Sequence, residues 1–216
     1  MSSTDARPTL IRRFSTVHLL AHLLLAVTFL VMLWTGLCLY FPALAEVMNR
    51  PTAKLWHLWA AVALGAGLLV LIVLSRRSFG QLVREVDQFD ADDLAWLRGG
   101  PRRLLNHDDA PDQGWWNAGQ KLYTAVTLGL LVVLSITGSL LWLGERNTTL
   151  RFKGTVDVHD LATILIVVLT MGHLYLALVN PATRAAVRGI TTGSVDRAWA
   201  RRNHGRWVRD MERENR

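Results

Sequence analysis

The chain has 216 residues, 51% of them hydrophobic, with nine tryptophans, one cysteine and a formal net charge of +7. Its apolar residues gather into long blocks and its mean hydropathy is +0.24, which excludes an ordinary soluble domain and points to a polytopic membrane protein. The basic excess flanks those blocks and accompanies no nucleic-acid motif, so its expected partner is a bilayer surface and not nucleic acid.

In chain order, an amino-terminal segment (1–13) carries Arg7, Arg12 and Arg13. Four stretches then contain no Asp, Glu, Lys or Arg: Phe14–Ala45, Leu55–Ser75, Leu122–Gly144 and Leu161–Thr183. A spanning helix needs roughly 20 residues rising about 1.5 Å each. Spans are therefore expected at about 17–41, 55–75, 122–144 and 159–181, within a transmembrane domain of residues 14–183. The first stretch is too long for a removed signal peptide and lacks its small-residue cleavage motif. Between the second and third spans, the loop 76–121 places Leu82, Val86 and Phe89 at three- to four-residue spacing. It reads as one or two short amphipathic helices broken at Gly99–Gly100–Pro101. The tail 184–216 is rich in Arg and Trp from Val195 on and is expected along the headgroups. No internal repeat or low-complexity tract is evident.

Orientation follows from the basic residues. The amino-terminal segment, the central loop and the tail hold nineteen Lys and Arg; the other two connections hold five (Arg50, Lys54, Arg146, Arg151, Lys153). The positive-inside rule puts both termini and the loop in the cytoplasm. The fold class expected is thus all-α, an integral membrane four-helix bundle. The single cysteine, Cys38, lies inside the first span, so the chain offers neither an intrachain disulfide nor a ligand set for an iron–sulfur centre.

Five of the seven histidines lie in or at the spans: His18, His22, His57, His159 and His173. An ionisable side chain at that depth is costly and usually marks a functional path. With the expected topology, His57 and His159 fall near the outer face, and His22 (or His18) and His173 fall toward the cytoplasm. His159 and His173 are separated by roughly 21 Å along one face of the fourth span. Two imidazole pairs at two depths are what two stacked b-type haems require, and filling both axial positions leaves electron transfer as their chemistry. Gly36, Gly65, Gly67 and Gly138 are the small residues that let a macrocycle approach the helices. A metal site on His18 and His22 lacks acidic or sulfur ligands nearby. A proton path would want intramembrane carboxylates, and the spans contain none. A haem-free transporter or assembly protein leaves the paired histidines unexplained.

Several stretches carry a family likeness: "RFSTVHLLAH" and "GLCLYFPAL" around the first span, "KLWHLWAAVALG" opening the second, "WWNAGQKLYT" before the third. "HDLATILIVVLTMGHLYLAL" covers the fourth, and "GITTGSVDRAWARRNHGRW" lies in the tail. Over nearly its whole length the sequence resembles the gamma subunit of membrane-bound formate dehydrogenase, a di-haem cytochrome b of the bacterial cytoplasmic membrane. The resemblance implies His22, His57, His159 and His173 as axial ligands of two haem b groups. His22 is selected over His18 because it stands twenty residues before Pro42 of the "FP" pair. It further implies that Asn117, Gly119 and Gln120 line a quinone site, for menaquinone or ubiquinone, with His173 contributing from the haem side. The implied partners are an iron–sulfur beta subunit on the outer face and a molybdenum- or tungsten-pterin alpha subunit that oxidises formate. The chain itself carries no motif for formate oxidation. A cytochrome b anchor of another quinone-linked oxidoreductase, such as a hydrogenase or thiosulfate reductase, is the alternative.

Other residues have plainer expectations. Asn117 alone is a good helix cap, and Trp115 and Trp116 fit an interfacial aromatic belt. His18 is expected to face headgroups. His107 and His204 read as solvated; a common double histidine of the family is Asn203–His204 here.

Overall fold

The computed structural model describes residues 9–100, 102 and 111–214. Its elements in chain order are β1 (Leu10–Arg12), α1 (Thr16–Tyr40), α2 (Arg50–Leu74), α3 (Arg76–Asp87), α4 (Ala91–Arg98), α5 (Ala118–Gly144) and α6 (Thr155–Leu174). They are followed by α7 (Val187–Thr192), β2 (Ser194–Asp196), α8 (Arg197–Asn203) and α9 (Gly205–Glu214). Among the described residues, four helices are long and apolar enough to cross a membrane: α1, α2, α5, and α6 extended by a π turn to Val179, with mean hydropathies of 2.2 to 2.3. The protein is therefore an all-α membrane protein with four candidate spans, apart from one three-residue ribbon.

Local chemistry fixes where the long helices begin and end. Pro42 holds the preceding Phe41 extended (φ −96°, ψ 113°), which stops α1 at Tyr40. The α2 helix starts at Arg50, before the charge-free stretch begins, because Asn49 Oδ1 accepts the Thr52 amide at 3.0 Å and Pro51 suits a first turn. The π turn Tyr175–Val179 closes α6, and Asn180 is extended (φ −66°, ψ 119°) ahead of Pro181. Inside the spans, several threonine hydroxyls are satisfied by their own helix. Thr28, Thr163 and Thr170 donate to the carbonyls of Leu24, His159 and Ile166 at 2.7–2.8 Å, as a medium without water requires.

The chain divides into two compact units. One comprises residues 14–82 and 190–193 and is built on the α1–α2 hairpin. Here Leu24 of α1 occupies the space of Gly67, where an added Cβ would stand 2.5 Å from its Cδ2. Gly67 is thus a helix-packing glycine and not part of a cradle. Gly193 sits at φ +81° and accepts the Phe14 amide at 3.0 Å; a Cβ there would lie 2.9 Å from the Phe14 carbonyl oxygen.

The second unit comprises residues 1–13, 83–189 and 194–216 and joins the α5–α6 hairpin to a small folded cap. In the cap, β1 pairs antiparallel with β2, Ile11 opposite Val195, over a core of Ile11, Val195, Trp199, Ala200 and Val208. The tail therefore buries its apolar side chains in its own core instead of lying as a strip on headgroups. Arg13 is buried at its centre, with its guanidinium donating to the Trp115 carbonyl (2.7 Å) and to Gln120 Oε1 (3.4 Å). Trp115 Nε1–H donates back to the Arg13 carbonyl at 3.1 Å. The rings of Trp199 and Trp207 flank the guanidinium at 5.6 and 5.7 Å. Burial pulls its pKa down to about 9 against the opposing pull of Glu85, which leaves it a cation at neutral pH.

The central loop has one more helix break than expected. The additional break falls at residues 88–90, where Asp90 and Asp93 cap one another reciprocally: Asp93 N–H to Asp90 Oδ1 at 2.9 Å, Asp90 N–H to Asp93 Oδ2 at 3.1 Å. Gly99 and Gly100 end α4 where a break was expected, and Arg102 beyond them is again helical; Pro101 and His107 lie outside the described residues. Phe89 has left the α3 stripe and meets the Lys121 ammonium, 5.8 Å from its ring. Lys121 also donates to Asp93 Oδ2 at 2.7 Å and to the Gln88 carbonyl at 2.9 Å, with both side chains buried. Lys121→Ala leaves the Asp93 carboxylate buried without its cation and should cost about 3–5 kcal/mol. Thermal unfolding of the purified protein checks this, and the double variant Lys121→Met/Asp93→Leu should recover most of the loss.

Candidate functional site

Two of the four candidate ligands are held in the same way, each within its own unit. In the α1–α2 hairpin, His57 Nδ1 lies 3.0 Å from Thr35 Oγ1. The neighbouring Gly36 presents its bare backbone to the ring, where a Cβ would stand 3.6 Å from His57 Cε1. In the α5–α6 hairpin, His159 Nδ1 lies 2.8 Å from Thr137 Oγ1, and a Cβ on Gly138 would stand 3.4 Å from His159 Cε1. Both threonines use their hydroxyl hydrogen within their own helix, on the Val31 carbonyl (2.7 Å) and the Val133 carbonyl (2.8 Å). The sequence reading noticed the two glycines but neither threonine. The signal was present as "TG" at 35–36 and again at 137–138, each pair followed by a histidine 22 residues after its threonine. That is an internal correspondence which residue similarity along the hairpins otherwise conceals.

The other two candidates have different surroundings. His173, near the end of α6, stacks on Tyr123 of α5, with ring centroids 5.1 Å apart and planes 14° from parallel. The π turn that follows it is a helix irregularity of the sort found at functional sites. His22 lies in the second turn of α1 and is exposed on the chain. One turn earlier, His18 does not face headgroups freely. Its Nδ1 lies 2.7 Å from Ser15 Oγ and accepts the Ser15 amide at 3.3 Å, closing the amino-terminal end of α1.

The "WWNAGQK" stretch forms the start of α5. Asn117 Oδ1 accepts the Gln120 amide at 2.8 Å and Gln120 Oε1 accepts the Asn117 amide at 3.0 Å, a reciprocal cap. The side-chain carbonyls are thus occupied, and the two NH₂ groups are the donors that remain. Gly119 does admit a ring to the backbone, and that ring is Trp96: a Cβ would meet its Cη2 at 2.8 Å. Trp96 is 3% exposed, and its Nε1–H has no acceptor among the described residues. Trp115 is 5% exposed and engaged with Arg13, so it belongs to the cap and not to an interfacial belt.

His204 corrects another expectation. It is 1% exposed, its Nδ1–H donates to the Gly114 carbonyl at 2.9 Å, and its ring contacts Trp199 and Trp207. It is a structural histidine joining the tail to the segment before α5, and its partner lies 90 residues away.

A model of the prokaryotic cytochrome b561 family matches residues 13–193. The chain belongs to that family. It is similar to the formate dehydrogenase cytochrome b556(fdo) subunit of Escherichia coli (strain K12), 24% identical over 214 residues, 96% of this chain and 95% of that one. The nitrate-inducible formate dehydrogenase cytochrome b556(Fdn) subunit of the same strain is 23% identical over 216 residues, covering 96% and 94%. The formate dehydrogenase cytochrome b556 subunit of Haemophilus influenzae is 24% identical over 216 residues, covering 96% and 85%.

As a prokaryotic cytochrome b561, the protein is a multi-pass membrane electron carrier that holds haem b. The side chains present fit that group. The spans supply imidazoles, two of them with Nδ1 committed to a hydroxyl oxygen and a glycine beside Cε1. An apolar groove of about 360 Å³ lined by Leu30, Val31, Trp34, Thr35, Met48 and Trp56 opens beside the first of these. Among the described residues, no group of three or more His, Cys, Asp or Glu could hold a bare metal ion.

At the cytochrome's "WWNAGQK" end stands one half-buried carboxylate, Glu85. Burial raises its pKa, while Lys121, the Trp116 backbone N–H and Arg206 pull it down and Asp93 raises it further. Because its pKa is higher folded than unfolded, the stability it contributes is complete at low pH and is lost as pH rises through the folded value. The wild type should therefore lose stability, relative to Glu85→Gln, as pH climbs above the ordinary glutamate range, and the two should converge below it. A thermal-shift pH series on both proteins checks the sign.

Proposed function

We propose that this cytochrome is the membrane electron-transfer subunit of a formate dehydrogenase, linking an outward-facing iron–sulfur partner to quinone on the cytoplasmic side of a bacterial inner membrane. Likeness to formate dehydrogenase cytochrome b556 subunits along 96% of the chain carries this reading. It favours formate dehydrogenase over a hydrogenase or thiosulfate reductase. The beta and alpha partners are then the iron–sulfur subunit and the molybdenum- or tungsten-pterin subunit, and both termini of this chain are cytoplasmic, as its basic residues suggest.

The residues assigned to haem iron are His57 with His159 near the outer face and His22 with His173 toward the cytoplasm. The pairing rests on their depths along the spans. Haem b, when bound, supplies one-electron carriage across the membrane. Asn117, Gly119 and Gln120 are assigned to the quinone. Their reciprocal cap turns both carbonyls inward, so the Asn117 and Gln120 NH₂ groups are left to donate to a quinone oxygen. The benzo edge of Trp96 packs against Gly119, and its indole N–H is buried without an acceptor among the described residues. Reduction of the quinone consumes two electrons and two protons, and the proposed position of this end makes the cytoplasm the proton source.

Two measurements test the assignment. A reduced-minus-oxidised spectrum with a pyridine haemochrome count should give two haem b per chain, falling to one on replacing either member of a pair by alanine. A chain with no haem, or one, overturns the two-level arrangement. Asn117→Asp and Gln120→Glu preserve the cap acceptors and remove the amide donors. Each should slow quinone turnover by about 10-fold, the worth of one hydrogen bond at about 1.4 kcal/mol, with haem content unchanged. Wild-type turnover in both variants removes Asn117 and Gln120 from the quinone site.

A further inference from the structure

We propose that Thr35 and Thr137 are positioning residues for haem: each accepts the Nδ1–H of its histidine, fixing the tautomer and plane of His57 and His159 so that Nε2 is the ligating nitrogen. The inference rests on the haem reading above and adds two residues to it. A threonine hydroxyl has one hydrogen and two lone pairs. In α1 that hydrogen lies on the Val31 carbonyl (2.7 Å), with the Met32 carbonyl at 3.2 Å. In α5 it lies on the Val133 carbonyl (2.8 Å), with the Leu134 carbonyl at 3.3 Å. The oxygen can then meet an imidazole nitrogen only as acceptor. The hydrogen shared with His57 (3.0 Å) and with His159 (2.8 Å) must therefore belong to Nδ1, which leaves the lone pair on Nε2.

Three features argue against coincidence. The arrangement occurs twice, in separately packed hairpins, with the threonine 22 residues before the histidine both times. In both, the residue after the threonine is a glycine facing Cε1 of the same ring (3.6 and 3.4 Å), so ring position is set from two adjacent backbone sites. Both threonines are buried, at 1% and 8% exposure. An acceptor at Nδ1 makes the imidazole a stronger donor to iron and stabilises the oxidised metal. The two histidines assigned to one haem share this device, whereas His173 instead stacks on Tyr123. The level held by His57 and His159 is accordingly the one whose potential is lowered by hydroxyls.

The test compares Thr35→Val, Thr137→Val and their double variant with Thr35→Ser and Thr137→Ser in the purified full chain. Valine keeps the shape and removes the acceptor; serine restores it. The valine variants should raise the midpoint potential of one haem and leave the other unmoved, and should speed haem transfer to excess apomyoglobin by 10-fold or more. The serine variants should behave as wild type. Unmoved potentials and transfer rates in the valine double variant overturn the assignment while the haem reading stands. A wild-type chain that binds no haem overturns both. Equal effects from valine and serine, with a lowered melting temperature, would show a packing role and also overturn it.

Discussion

Inside a bilayer, a polar side chain must find its partner within the protein, because no water is at hand to supply one. In this cytochrome that constraint governs the spans. Threonines lend their hydroxyl hydrogens to their own helix, and at two places the oxygen so fixed becomes the partner of an imidazole. A histidine that could rotate in lipid has two tautomers and several ring planes. One held by a hydroxyl on one side and limited by a glycine on the other has far fewer, which is the positioning proposed for His57 and His159. The helix hairpin is the smallest unit that can do this, since one helix carries the ring and its neighbour carries the acceptor.

The same constraint has the opposite solution in the cap. Arg13 is a buried cation, yet its cost is met by a carbonyl, an amide oxygen and two indole faces drawn from three separate parts of the second unit. Its own carbonyl takes the Trp115 indole N–H. The residue thus ties the strand before α1 to the turn before α5 and to the tail, and His204 repeats the connection through the Gly114 carbonyl. This knot and the Asn117–Gln120 cap meet at Gln120 Oε1. The start of α5 is therefore held from two directions.

Which features could be read from residue order depends on how far apart the interacting residues are. The four spans were legible because length and hydropathy are local, and the histidines because an ionisable group in an apolar run stands out. The cap at Asn117 was legible as a local motif. Trp115, His204 and the tail were misread as surface features, since their partners lie 102 residues away at Arg13 and 90 residues away at Gly114. The threonines escaped notice because Thr is common in membrane helices; only the fold shows that two of them face a histidine. Gly67 carried the reverse error: its smallness suits Leu24, although by composition it looked identical to Gly36. The loop break at 88–90 was hidden because a mutual Asp90–Asp93 cap is weaker as a sequence signal than the Gly-Gly-Pro ten residues later.

The chemistry at the start of α5 bears on what that site is for. A reciprocal cap needs only two side-chain acceptors, and at its last position a carboxylate would serve better than an amide, because Arg13 stands 3.4 Å from Gln120 Oε1 and would pair with a glutamate. Asn117 and Gln120 are amides instead, which forgoes that ion pair and retains four N–H donors that the cap does not use. Nearby Glu85 and Asp93 already crowd the region with acid, and a third carboxylate would raise their mutual repulsion. Neutral donors beside buried cations are the combination that favours a ligand whose oxygens gain negative charge as electrons arrive. That combination supports the quinone assignment proposed for Asn117 and Gln120.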